Sequence, residues 1–267
     1  MALTLYHNDM SVCAAKVRMA LAEKGLEWEG IHLNLRAGDT QKPEYVKLNP
    51  GMVVPTLVHD GLPVIESNVI LEYLDDCFPA PPLRPAAPRG KAQMRLWMKQ
   101  LDETVHPATG TVSTCIAFRY QQLQRQPAEF AAYLAKMPDA ARRERTKDTV
   151  ERGMDSAFFA PAVRRFLKLT ADMEQSLAAG AWLAGAEFSL ADIAYASYMA
   201  RLTHLGLDVM LEDKPRTTDW RRRLFARPSY QTGIEKWFNP RYLEIFERER
   251  DGARERVRRI MREGSGL

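Results

Sequence analysis

The chain has 267 residues, enough for one or two domains, and its 46% hydrophobic and 27% charged composition is that of a folded globular protein, not a disordered one. Thirty-eight Lys and Arg against 34 Asp and Glu leave a net charge of +4. That is too small to indicate nucleic-acid binding without a basic run interleaved with aromatics, and the sequence has none. No apolar run reaches the ~18 residues of a membrane span.

In chain order, LTLYH (Leu3–His7) is short and β-prone, which suits a buried strand. From Ser11 to Lys24 the apolar positions Cys13, Ala14, Val17, Ala20 and Leu21 predict a helix with one apolar face. Gly25 follows as its left-handed stop. EWEGIHLNL (Glu27–Leu35) reads as a second strand. GDTQKPEYVKLNP, broken by Pro43 and Pro50, predicts a loop holding a short helix. In VPTLVHDGLPVIES two apolar runs meet at Asp60-Gly61, a hairpin signal. SNVILEYLDDCF returns to helical period, with Val69, Ile70, Tyr73, Leu74 and Cys77 on one face and Ser67 as the cap. One βαβ unit followed by an antiparallel hairpin predicts a small mixed sheet with helices packed against it.

Pro79, Pro81, Pro82, Pro85 and Pro88 then crowd the chain. Proline at this density neither continues a helix nor joins a central strand. Residues 81–90 are therefore the expected linker between an α/β domain, 1–80, and an all-α domain, 91–240. Beyond it strand-like runs nearly vanish, while KAQMRLWMKQLDETVHP and APAVRRFLKLTADMEQSLA are amphipathic and helical. Gln121–Arg152 is polar and basic, with a flexible turn expected near Pro138. The tail, 241–267, is dense in Arg and Glu. Its thin stripe of Val257, Ile260 and Met261 predicts a solvated helix.

Cys13, Cys77 and Cys115 are odd in number and widely spaced, which is neither a disulfide framework nor a zinc pattern. No metal is expected. With no basic and then apolar leader in MALTLYHNDM, the expected location is a reducing cytoplasm. Cys77 and Cys115 read as core cysteines, and Arg18 as a surface or domain-interface ion pair.

Three local motifs carry chemistry. Ser11-Val12-Cys13 stands at a strand-to-helix turn, Val54-Pro55 just before TLVHD, and Glu66-Ser67 where a strand hands over to a helix. A proline entering a strand cannot donate to the ladder. A cis Val54-Pro55 peptide, with the Val54 backbone turned outward, accounts for it, and that backbone can then pair with an extended peptide as an added strand. A helix start at Ser67 suits a carboxylate, because its first N–H groups are unpaired, and Glu66 suits an amine.

In their order and spacing, LYHNDMSVCAAKVRMALAEKGL, LNPGMVVPTLVHDG and IESNVILEYLDD resemble the cytosolic glutathione transferase family. WLAGAEFSLADIAYASYM resembles that family's α-domain helix start, with Ser189 as cap, Asp192 reaching back to the Ser189 N–H and Phe188 packing on Ile193. The resemblance implies a thioredoxin-like α/β domain followed by an all-α domain, glutathione as co-substrate, and a homodimer whose interface includes the helix carrying Asp102 and Glu103. Within the family the serine-x-cysteine turn resembles the zeta class and its relatives, among them tetrachlorohydroquinone reductive dehalogenases; bacterial lignin β-etherases share the fold. Val12 and Ala15 depart from the zeta pattern, where a serine and a tryptophan stand. Val53 takes a glutathione-binding position that is often Lys or Gln, removing a polar contact to the glycine end.

On this resemblance Val53, Val54, Pro55, Glu66 and Ser67 bind glutathione, and Ser11 and Cys13 are catalytic. A thiol near pKa ~8.5 is mostly protonated at neutral pH. A helix start contributes ~0.3–1 kcal/mol, up to ~2 when partly buried, and a hydroxyl bonded to the thiolate roughly 1.5–3 kcal/mol. Together they lower the pKa by about two units. The thiolate then attacks a hydrophobic or aryl electrophile, the expected lining being Met10, Thr109, Ser113 and Phe118. The expected activity is a detoxifying glutathione S-transferase. A second reading is a reductive dehalogenase or β-aryl ether-cleaving enzyme in which Cys13 forms or resolves a mixed disulfide. A third, motivated by the basic Arg142–Arg152 stretch and the charged tail, is a non-catalytic interaction protein of the same fold.

Overall fold

In β1 (Leu3–His7), Leu3, Leu5 and His7 are buried and Thr4 and Tyr6 half-buried, the two-residue period of a strand with one face on a core. The computed structural model describes residues 2–135, 137 and 139–264. It pairs β1 in parallel with β2 (Glu29–His32) and antiparallel with β3 (Thr56–His59). β3 pairs antiparallel with β4 (Leu62–Val64), giving the order β2-β1-β3-β4, the expected mixed sheet. Asp60 and Gly61 close the hairpin with φ of +47 and +86, the left-handed pair that a tight two-residue turn requires.

The helices in chain order are α1 (Val12–Glu23), α2 (Pro43–Val46), α3 (Ser67–Cys77), α4 (Pro88–Gln100), α5 (His106–Ser113), α6 (Arg119–Gln122), α7 (Pro127–Ala135), α8 (Ala140–Arg152), α9 (Phe159–Ser176), α10 (Leu190–His204), α11 (Pro215–Phe225), α12 (Pro228–Gly233), α13 (Pro240–Glu247) and α14 (Arg250–Gly264). They group into two compact units. One is Met1–Lys99, Ser176–Met199 and Asp219–Asn239, and the other is Gln100–Gln175, Ala200–Thr218 and Pro240–Leu267.

In the first unit α1 is buried on all sides from Ala14 to Leu21, Lys16 and Arg18 included, where one apolar face was expected. The reason is a further layer. α12 lies against α1 so closely that a Cβ at Gly233 would fall 2.6 Å from the Met19 backbone. α3 buries Ser67, Asn68, Ile70, Leu71, Leu74 and Asp75, while Val69 is 56% exposed and Cys77 is exposed. The buried stripe is therefore rotated from the expected one, and Cys77 is not a core residue. The polar Asn68 and Asp75 share that face, which apolar periodicity does not count. Asp75 accepts from Lys24 Nζ at 2.5 Å, Leu83 N–H at 2.9 Å and Arg84 Nε at 2.6 Å. Lys24 Nζ also donates to the carbonyls of Phe78 and Pro81 at 2.7 and 2.6 Å, which ties down the proline-rich segment.

The expected reach of Asp192 back to the Ser189 N–H is present in this unit, while the Ser189 hydroxyl and Phe188 find partners other than the expected helix N–H and Ile193. Asp192 is fully buried and accepts from Ser189 N–H (2.9 Å), Ser189 Oγ (3.1 Å), Leu183 N–H (3.0 Å) and Trp220 Nε1 (2.8 Å). The Ser189 hydroxyl thus donates to the carboxylate. Phe188 rests on Trp182, ring centroids 4.9 Å apart, and under the Arg227 guanidinium.

In the second unit the tail is not a solvated helix. Ala253, Val257 and Ile260 of α14 are buried, and Arg254 and Arg258 reach Asp208 and Glu212 at 3.4 and 2.7 Å. A small apolar stripe at helical spacing is enough to bury one face when the flanking arginines pair at its edges. Cys115 is buried, which pushes its thiol up to about 12. The turn expected at Pro138 lies outside the described residues.

Candidate functional site

The strand register brings the three motifs to one end of the sheet. Tyr6, near the end of β1, pairs with Thr56, so Val54-Pro55 lies beside the loop that leaves β1 for Ser11. Leu57 pairs with Val64, so the segment leaving β4 toward Glu66 and Ser67 runs out at the same end. Inside, Lys16 Nζ of α1 donates to Asn68 Oδ1 of α3 at 2.7 Å, and Asn68 Nδ2 to the Met98 carbonyl at 2.9 Å.

Ser11 is the N-cap of α1, in extended conformation, and its Oγ accepts the Ala14 N–H at 3.2 Å. A hydroxyl has one donor and two acceptor positions, so its O–H is still available to a ligand. Cys13 is half-buried in the first turn, with Sγ 3.5 Å from the Tyr198 hydroxyl. The neighbouring Ser197 Oγ donates to the Val12 carbonyl at 2.7 Å.

Arg18 is not a surface ion pair. It is buried, and its guanidinium donates to the carbonyls of Asn8 (3.0 Å), Asp9 (3.2 Å) and Gly233 (2.9 Å) and lies 4.8 Å from the Trp237 ring centroid. It therefore grips the loop that delivers Ser11. Burial lowers its pKa to about 9, although the nearby Asp9 charge opposes the change. Its Nη1 also lies 3.3 Å from His7 Nδ1. Burial first, then the Arg18 charge, lowers the His7 pKa to about 4. Asp9 approaches His32 Nε2 at 3.4 Å and accepts from Asn239 Nδ2 at 2.8 Å.

The Val54-Pro55 peptide is cis, as expected. The Val54 side chain packs with Leu33 and Tyr45, and neither its N–H nor its C=O has a hydrogen-bond partner among the described residues. The preceding carbonyl, of Val53, is held by Tyr45 Oη at 2.6 Å and Asn49 Nδ2 at 3.0 Å. Both groups also reach Thr56 Oγ1, at 2.9 and 3.0 Å, so one pair of side chains braces both sides of the turn. The Val53 side chain is exposed.

Glu66, not Ser67, occupies the N-cap position of α3, since the helix begins at Ser67 itself. Glu66 is exposed, has φ +66 and makes no side-chain cap bond. A positive φ at a glutamate costs of order 1–3 kcal/mol and is typical of ligand sites. The first backbone bond of the helix runs from Ile70 N–H to the Glu66 carbonyl at 2.8 Å. The N–H groups ahead of it have no acceptor within the helix.

Of the expected electrophile contacts, Met10 is buried in the first unit, its N–H donating to Asn8 Oδ1 and Asp9 Oδ1 at 3.0 and 2.9 Å. Thr109, Ser113 and Phe118 belong to the second unit. Thr109 is buried and donates to the Val105 carbonyl at 2.8 Å. Ser113 is buried and accepts from Arg201 Nη1 at 3.1 Å. Phe118 lies 5.1 Å from the Arg201 guanidinium and 5.6 Å from the Phe246 ring centroid. π-helical turns over Leu101–Val105 and Thr114–Phe118 bracket Thr109 and Ser113, and the second contains Phe118.

Sequence reasoning missed Tyr198, Tyr45, Asn49 and the grip of Arg18. Asn49 had a signal, the LNP before the turn. Tyr198 had none, because its partner lies 185 positions earlier in the chain.

A mixed sheet with a cis-proline turn beside a helix start bearing serine and cysteine is the architecture of a thioredoxin-like domain. Residues 1–76 match the family model for the glutathione S-transferase N-terminal domain and residues 126–228 that for its C-terminal domain. Protein LigF of Sphingobium sp. (strain NBRC 103272 / SYK-6) is 30% identical over 242 residues, which is 88% of this chain and 94% of LigF. The crystal structure of beta-etherase LigF matches with a TM-score of 0.77 at 29% identity, covering 88% of this chain and 100% of that one. Glutathione S-transferase Z2 of Arabidopsis thaliana is 44% identical over 84 residues, 32% of this chain and 38% of Z2. Glutathione S-transferase TCHQD of the same plant is 25% identical, over 89% of this chain and 91% of that one. The chain belongs to the glutathione S-transferase family.

Proposed function

We propose that this protein is a glutathione S-transferase that joins the glutathione thiolate to a hydrophobic or aryl electrophile. The observation that carries the reading is the register-set gathering of Ser11, Val54-Pro55 and Glu66-Ser67 at one sheet end, with the Val54 backbone unpartnered among the described residues. Glutathione pairs with Val54 as an added strand. Its amine is held by Glu66, and its γ-glutamyl carboxylate by Ser67 at the start of α3. Its sulfur meets the start of α1, where the Ser11 hydroxyl donates to the thiolate while still capping the helix. With valine at position 53, the glycine end loses a side-chain polar contact. Met10 of the first unit and Thr109, Ser113 and Phe118 of the second are the proposed electrophile contacts; for the latter three the support is the π-helical turns next to or containing them, a feature concentrated at functional sites.

Isothermal calorimetry with glutathione tests this, comparing the native chain with Glu66→Gln and Ser67→Ala. Binding that both substitutions weaken is expected. No heat from the native chain at millimolar glutathione overturns the reading.

A second reading, ether cleavage or reductive removal of a substituent through Cys13, is favoured by the likeness to beta-etherase LigF and by the contact of Cys13 Sγ with the Tyr198 hydroxyl. Cys13→Ser then abolishes turnover of β-aryl ethers or chlorinated hydroquinones while leaving simple conjugation intact. We also propose a cytoplasmic, detoxifying homodimer. The exposed Leu62, Ile65, Val69 and Leu96 support an apolar interface on the first unit, and light scattering tests it.

A further inference from the structure

We propose that Tyr198 is a positioning residue for Cys13: its hydroxyl donates to the Cys13 thiolate and readies the sulfur for thiol–disulfide exchange with a glutathionyl disulfide. The inference rests on the glutathione reading above and adds to it which residue makes the cysteine route work.

Three observations on α1 and α10 carry it. Cys13 Sγ lies 3.5 Å from Tyr198 Oη, within hydrogen-bond reach for sulfur. Tyr198 is fully buried, whereas Cys13 is only half-buried. The donor is therefore shielded from water, while Cys13 itself remains partly accessible. The adjacent Ser197 Oγ binds the Val12 carbonyl at 2.7 Å, so two consecutive residues of α10 fix two consecutive residues of α1 and set the sulfur's position. Position within the first helical turn already favours a thiolate, and a phenol donor adds to that. The charged group facing this pair from α1 is Lys16, with Nζ 5.9 Å from the Tyr198 ring centroid and donating to Asn68 Oδ1. Arg18, further along α1, faces the carbonyls of Asn8, Asp9 and Gly233 and His7 of β1. The charge of Lys16 acts in the same direction as the hydroxyl, and it is unchanged by a phenylalanine at 198.

The step is balanced. The Cys13 thiolate attacks one sulfur of oxidised glutathione, a Cys13–glutathione disulfide forms as the original disulfide breaks, and the departing glutathione thiolate takes a proton from solvent. A second glutathione thiolate reverses it by the same exchange, freeing the Cys13 thiolate and forming oxidised glutathione.

The test uses the full chain carrying Cys77→Ser, since Cys77 is exposed and Cys115 is buried. Intact mass follows glutathionyl addition from oxidised glutathione across pH, and separately the adduct from hydroxyethyl disulfide, which needs no glutathione site. Expected is one adduct per chain, lost in Cys13→Ser. Tyr198→Phe moves the rate profile to higher pH with both disulfides and slows addition at neutral pH about tenfold, the effect of losing a hydrogen bond to a charged sulfur. Unchanged profiles for Tyr198→Phe overturn the proposal. Should that variant fail to fold, Tyr198→3-fluorotyrosine, near-isosteric and a stronger hydrogen-bond donor, decides: a rate profile moved to lower pH with both disulfides supports the proposal, and an unmoved one overturns it. Loss of the glutathione response alone, with the hydroxyethyl response intact, sinks the binding reading and leaves the Tyr198 assignment standing.

Discussion

Replacing Arg18 with methionine keeps the volume of a fully buried side chain and removes its charge and its donors. Three backbone carbonyls, of Asn8, Asp9 and Gly233, then lose the N–H groups that now meet them at 2.9–3.2 Å. A hydrogen bond from a charged donor contributes roughly 1.5–3 kcal/mol, so three amount to about 5–9 kcal/mol before compensation. Burying the guanidinium carries a desolvation penalty of several kcal/mol that methionine avoids. The net loss expected is about 3–5 kcal/mol, a large share of the ~5–15 kcal/mol of a typical domain. Urea unfolding reads it as a lower midpoint at unchanged slope. A second readout is functional. The two loop carbonyls lead directly into Ser11, so the KM for glutathione rises even under conditions where the variant stays folded. A third follows from His7, whose pKa burial and the Arg18 charge lower from 6.5 to about 4. His7 therefore stays neutral in the folded state while the unfolded chain takes up a proton, so its contribution is complete above pH ~6.5 and is lost as pH falls toward 4. Without Arg18 the folded pKa rises and that window narrows. A stability loss below about 1 kcal/mol, with an unchanged acid limb, refutes the grip as argued.

Asp192→Ala leaves four buried donors without their acceptor and is expected to cost about 3–5 kcal/mol; a melting temperature within a couple of degrees of the native value contradicts this. Burial would raise the Asp75 pKa, but hydrogen bonds from Lys24, Leu83 N–H and Arg84 outweigh it and hold the carboxyl below its ordinary range. Its stabilisation is complete above pH ~3.9 and is lost as pH falls through the lowered value, so Asp75→Asn flattens the stability profile below pH 4, as read by denaturation at stepped pH. Under the proposed function, Glu66→Gln and Ser67→Ala each raise the KM for glutathione about tenfold with kcat little changed, the effect of losing a remote binding group present equally in ground and transition states. Ser11→Ala costs ~1 kcal/mol of stability through loss of the cap and, with Ser11 as the proposed thiolate donor, lowers kcat at neutral pH about 10- to 100-fold.

The sequence by itself determined the local events: β1 and its alternation, the Asp60-Gly61 hairpin, the cap at Ser11, the cis Val54-Pro55 turn, the Ser189–Asp192 knot, and the mixed sheet that follows from their order. Each depends on residues within a few positions of one another, where backbone preference and side-chain period act directly. The family was legible for the same reason, since its motifs are such local signals in sequence. What only the tertiary structure decided was which polar groups are buried and by what. Arg18 reads as a surface cation until α12 and Trp237 close over it, and α3 presents Asn68 and Asp75 inward because Lys16 and Lys24 are there to meet them. Cys77 reads as core and is exposed, while the tail stripe of α14 reads as solvated and is buried. Tyr198 reaches Cys13 across 185 positions of the chain. Burial of a polar side chain depends on a partner, and the partner's approach is set by packing between elements distant in sequence, which no local pattern encodes.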